Sequence, residues 1–221
     1  MHNPTVQTAR RDTSIEVNKV LRNTYSLLAL TLAFSALVAA MTGMMNLPHP
    51  GILITLVGFY GLLFAVHKTA NSAMGLVMVF ALTGFMGYTI GPILNMVVAA
   101  GGSDIIMLAM GGTAAIFFAL SAYILTTKKD MSFLGGMMVA GFVVIVVGFV
   151  ANLFLQLPAF HLALSALFIL FSSGAILMQT SAIVNGGERN YILATVTLFV
   201  SLYNIFLSLI NLLMAFAGGD D

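Results

Sequence analysis

Between Tyr191 and Ala217 the chain reads YILATVTLFVSLYNIFLSLINLLMAFA. Within it Thr197, Ser201, Asn204, Ser208 and Asn211 follow one another at steps of four, three, four and three. That spacing places all five on one face of a helix whose other faces are Ile, Val, Leu, Phe and Met. A polar stripe on so apolar a helix must face protein or a cavity, because hydrocarbon offers it no hydrogen-bond partners. The stretch therefore predicts a spanning helix at the centre of a bundle. Whether its seam conducts, catalyses or packs is the question the rest of the chain must answer.

Composition supports the membrane reading. Of 221 residues, 60% are hydrophobic and 7% are charged, against about a quarter charged in ordinary soluble domains. A net charge of +1 and the lack of a basic, aromatic-interleaved patch give no reason to expect a nucleic-acid partner. There is no cysteine, so disulfides, thiolate catalysis and thiolate-bound metals are excluded.

Seven apolar runs approach the length of about 20 residues that a spanning helix needs: 25–45, 51–66, 73–98, 105–126, 131–155, 160–183 and 191–217. None contains Asp, Glu, Lys or Arg. All eight cationic side chains lie before the first run or in alternate gaps: Arg10, Arg11, Lys19, Arg22, Lys68, Lys128, Lys129 and Arg189. Lys and Arg mark cytoplasmic segments, and their alternation supports the count of seven. The expected class is an all-α integral membrane protein, a seven-transmembrane-helix bundle with a central seventh helix. Its parts are a cytoplasmic N-terminal tail (1–24), the transmembrane domain (25–217) and a short extracytoplasmic C-terminal tail (218–221). The first run is too long, and Arg10 and Arg11 too far from it, for a cleaved signal peptide.

In the tail, Thr13-Ser14-Ile15-Glu16 has the form of a capping box and predicts a helix start there. Residues 1–11 carry no such pattern and read as irregular. In the third run, Gly84, Gly87 and Gly91 predict close helix packing. Pro92 predicts a kink or an end to the regular helix.

Catalytic options are thin. The runs hold no carboxylate pair, and the four His, at 2, 49, 67 and 161, are too scattered to ligate a metal. Ser172 and His161 share one run but are about 16 Å apart along a helix axis, too far to act as nucleophile and base. The chain reads as a non-enzyme with no cofactor. For conduction it offers only neutral groups, Gln179 and the stripe, a poor basis for a divalent cation, which wants carboxylate charge.

The segment Gly112-Thr113-Ala114-Ala115-Ile116-Phe117-Phe118, continuing through Ser121, Tyr123 and residues 127–135, resembles the signature of the Bax inhibitor-1 family. Gly84-Phe85-Met86-Gly87 with Gly91-Pro92-Ile93-Leu94, and the ending Leu198 to Leu209, are similar to the same family. The resemblance runs from Leu21 to the end of the seventh run. It implies seven helices with the last surrounded by the other six. Family members with a calcium leak carry an aspartate pair on the sixth and seventh helices. Here the resemblance puts Gln179 at the first aspartate and Ser201 at the second, so Gln179, Ser201 and Asn204 form a neutral seam where that pair would act. The polar start and Gly-Gly-Asp-Asp end resemble a bacterial inner-membrane branch that modulates the membrane-anchored AAA protease FtsH. That branch implies FtsH as partner, with its HflK/HflC associates. The tail residues His2, Asn3, Pro4, Arg10 and Arg11 are then the candidate protease-engaged handle.

Overall fold

A computed structural model describes residues 4–218, and of residues 4–14 the backbone alone. Seven long helices follow one another: α1 (Pro4–Met44), α2 (Ile52–Thr69), α3 (Ala73–Ala99), α4 (Ser103–Thr127), α5 (Gly135–Leu155), α6 (Pro158–Val184) and α7 (Tyr191–Ala217). A single 3-10 turn, Ser132–Leu134, leads into α5. Each of the seven includes a stretch long and apolar enough to cross a membrane.

Local chemistry fixes the breaks. Pro158 opens α6, where its missing N–H costs nothing. Lys128 and Gln156 end α4 and α5 in the left-handed region. Gly186 follows α6 with φ +76°, and the N–H groups of Gly187 and Glu188 then reach back to the Ala182 carbonyl, satisfying an otherwise orphaned acceptor.

Two expectations from the sequence need correction. The first helix begins at Pro4, not at the Thr13 cap, so residues 4–11 are helical rather than irregular. Pro4 suits the first turn of a helix and no Gly or Pro follows before Gly43, so nothing interrupts the chain. Likewise, of the kink or end expected at Pro92, the end does not occur: α3 runs through Pro92 to Ala99. In lipid, breaking the neighbouring backbone bonds would cost more than the one bond that proline removes.

Four helices close a ring, with α1 against α3, α3 against α4, α4 against α6 and α6 against α1. Helix α7 fills it, and none of its residues 191–214 is exposed. Helix α2 lies outside, on α3, and touches the edge of α7. Helix α5 packs on α6 and does not reach α7. The central helix is thus surrounded by five helices, not six. The sequence of α5 explains why. Its contact line includes Gly141 beneath Phe171 and Gly148 beneath Leu164, and apart from Asn152 the rest is apolar around the circumference, at home in lipid.

The α1–α3 seam is the most intimate. Gly87 faces the Ser35 carbonyl, and Gly91 faces Thr42 Oγ1 and the Ala39 carbonyl. At these two positions α3 contributes no side chain to the gap, so the α1 backbone comes close, as small residues in membrane helices allow.

Candidate functional site

The polar stripe lies where a central helix requires. Ser201 and Ser208 are buried and Thr197, Asn204 and Asn211 half-buried. Thr197 Oγ1 donates to the Leu193 carbonyl (3.1 Å) and Ser201 Oγ to the Thr197 carbonyl (2.8 Å). These two hydroxyls are satisfied within their own helix. They line the seam without offering a charge.

Gln179 sits on α6, which packs against α7. Its Nε2 is buried and has no hydrogen-bond partner in the protein, so it does not bond Ser201. The two positions where the resemblance places acids are therefore neutral and not joined through that amide. Ser172 is buried in the middle of α6 with its hydroxyl unpartnered, whereas His161 is exposed in the first turn of the same helix; no nucleophile–base pair forms between them. Among the described residues no group of three or more His, Cys, Asp or Glu is placed to hold a metal. Of the tail residues, His2 and Asn3 lie outside the described residues, while Pro4, Arg10 and Arg11 belong to the first turns of α1.

The more organised chemistry is at the end of the bundle where the cations gather. Asn190, just before α7, accepts from the N–H groups of Ile192 (3.0 Å) and Leu193 (3.2 Å). It caps the central helix. Its Nδ2 donates to the Ala70 carbonyl (3.1 Å) and to Asn71 Oδ1 (2.9 Å), tying the α2–α3 connection to the α6–α7 connection. Ser181 does the same for the α4–α5 connection, accepting from Met131 N–H (2.9 Å) and donating to the Lys129 carbonyl (3.0 Å). Arg189 and Glu16 approach to 3.9 Å and join α1 to the α6–α7 connection. Both side chains are largely exposed, so solvent screens this pair and it holds little by itself.

Sequence reasoning did not find these ties. Asn190 was within reach as an N-cap ahead of an apolar run. Nothing local marks Ser181, and the local pattern at Glu16 suggests a capping box rather than a tie to Arg189, because the partners of both lie 50 and more positions away. A further tie, Thr89 Oγ1 to Tyr203 OH at 2.8 Å, joins α3 to α7 and shows that the polar seam is not the only polar contact of the central helix.

The motifs of α3, α4 and α7 now stand in one arrangement, around a buried last helix. The model of the family described as inhibitor of apoptosis-promoting Bax1 matches residues 17–218. The chain belongs to this Bax1-I family. Among its Bax1-I relatives is a protein of Escherichia coli strain K12 named modulator of FtsH protease YccA, 60% identical over 210 residues, which are 95% of each chain. Its counterpart in E. coli O6:H1 shares the same identity and coverage and is named inner membrane protein YccA. An uncharacterized protein of Pseudomonas aeruginosa is 58% identical over 207 residues, 93% of each chain.

Proposed function

We propose that this Bax1-I protein resides in a bacterial inner membrane and binds and modulates the protease FtsH, as a slowly degraded or competing substrate. The observation that carries the reading is 60% identity over 95% of both chains to a protein named for that activity. In this reading the protein acts by binding and not by catalysis, and the HflK/HflC associates of the protease belong to the same assembly. The N-terminus is cytoplasmic and the C-terminus periplasmic. The supporting argument is that all eight cations flank one set of helix ends, the set that the positive-inside rule assigns to the cytoplasm.

The mechanism uses α1. Its N-terminal extension leads from the protease-facing side directly into the helix with the closest packing in the bundle, against Gly87 and Gly91 of α3. Pulling on the extension therefore loads that seam at once, so engagement begins readily and extraction proceeds slowly. A substrate of this kind occupies the protease and delays others. The test removes residues 1–11. Loss of FtsH co-purification together with a changed half-life supports engagement through the extension; unaltered co-purification and half-life refute it.

A further inference from the structure

Two clefts flank Arg189 at the cation-rich end of the bundle. One, of about 270 Å³, lies between the start of α1 and the α6–α7 connection, and is lined by Glu16, Lys19, Glu188 and Arg189 among others. Its charges are mixed and offset one another. The other, of about 430 Å³, lies between the α2–α3 and α6–α7 connections. Its polar rim is Asn71, Ser72, Arg189 and Tyr191, and its floor includes Leu76 and Ile192. Among the described residues Arg189 is the one charged residue lining it.

The second cleft is built rather than accidental. Asn190 clamps its two walls together through Ala70 and Asn71 while capping α7. The Oδ1 of Asn71 is taken by that clamp, which leaves its amide N–H groups as donors toward the rim. Ser72 Oγ is already committed to the Thr69 carbonyl (2.8 Å), so Arg189 and the Asn71 amide are the donors of the rim. Among the described residues lining this cleft there is no carboxylate; the one carboxylate near Arg189 is Glu16, which reaches it from the neighbouring cleft. The floor is apolar, made by Leu76 of α3 and the buried Ile192 of α7. A guanidinium with an amide donor over an apolar floor matches a phosphate group carried on a greasy body.

We infer that the cleft between residues 70–76 and 189–192 binds a phosphate-bearing anion through Arg189, the headgroup of an anionic phospholipid or a free phosphate. Arg189 also approaches Glu16 at 3.9 Å, so the anion and Glu16 compete for one guanidinium. This site stands independently of the protease reading, since it needs no partner protein.

The experiment is native mass spectrometry of the full chain in mild detergent, titrated with phosphatidylglycerol, with phosphatidylethanolamine, and with inorganic phosphate as competitor. Phosphatidylglycerol is retained preferentially. Arg189→Gln lowers that retention about fivefold, as expected for loss of one charge-assisted contact at a partly exposed site. Lys129→Gln makes the same charge change at the same end of the bundle, outside the cleft, and leaves retention unchanged. Glu16→Gln frees Arg189 and raises retention, a gain that a misfolded variant cannot produce. Competition by millimolar inorganic phosphate identifies a free-anion site, and its failure identifies a lipid headgroup site; both support the cleft when the Arg189 dependence holds. Equal losses in Arg189→Gln and Lys129→Gln, or a Glu16→Gln variant no better than the parent chain, overturn it in favour of diffuse attraction to a cationic surface.

Discussion

Replacing Gly87 by Ala tests the packing that makes the bundle slow to extract. A Cβ on Gly87 would press on the Ser35 carbonyl oxygen and lie 3.0 Å from Ser35 Oγ and 3.1 Å from the Ser35 carbonyl carbon. The oxygen and carbon are backbone atoms of α1 and cannot swing aside. At Gly91 a Cβ would meet Thr42 Oγ1 and lie 2.6 Å from the Ala39 carbonyl oxygen. Thr42 is itself pinned by hydrogen bonds to Val38 and Ala39. Relief in either case requires α1 and α3 to separate. Overpacking of this kind costs about 1–3 kcal/mol and alanine returns up to ~1 kcal/mol of helix propensity; with rigid backbone atoms in the way the cost falls toward the top of its range, so Gly87→Ala loses about 2 kcal/mol. Gly61 and Gly111 supply the control, because a Cβ at either meets nothing within 4 Å. Gly111→Ala therefore keeps the propensity gain without the clash. Reversible unfolding by SDS in mixed micelles ranks the variants: Gly87→Ala unfolds at a lower SDS fraction than the parent, and Gly111→Ala at the same or a higher one. A Gly87→Ala variant as stable as Gly111→Ala would refute the close approach of α1 and α3.

Asn190→Ala removes the cap of α7, worth about 1 kcal/mol, and breaks the clamp on Ala70 and Asn71; the amides of Ile192 and Leu193 then exchange hydrogen faster while amides in the middle of α7 do not. The double change Gln179→Asp with Ser201→Asp restores an acid at both family positions. It lowers stability, since each carboxylate costs about 2.5–3.5 kcal/mol near a helix centre on insertion scales, and it raises calcium flux into dye-loaded liposomes above that of the parent chain. An inert double variant would mean that the seam has lost more than its acids.

The seven spans were legible because hydropathy and alternating cations are local signals; α7 begins and ends where its apolar run does. The burial of α7 was legible too, since a polar stripe in lipid has to face protein. The extension of α1 back to Pro4 was not, because a capping box at Thr13 competes with an uninterrupted helical stretch, and the continuous stretch prevails. Nor was the passage of α3 through Pro92, where the bilayer overrules a local helix breaker. The peripheral place of α5 was written in its sequence, which offers only Asn152 as a polar side chain between Gly135 and Leu155, but the family arrangement suggested otherwise. The ties made by Ser181, Asn190 and Glu16 depend on which connections meet at one end of the bundle, and that is a property of the assembled fold.

The central claim is that this chain occupies FtsH and slows its action on other substrates. The direct measurement is degradation of a second membrane substrate by purified FtsH in proteoliposomes, with and without this protein at equal and tenfold excess. The account predicts that degradation of the second substrate slows as the ratio rises, that the chain itself is degraded more slowly than that substrate, and that removal of residues 1–11 restores the original rate. A rate that is the same at every ratio would contradict it.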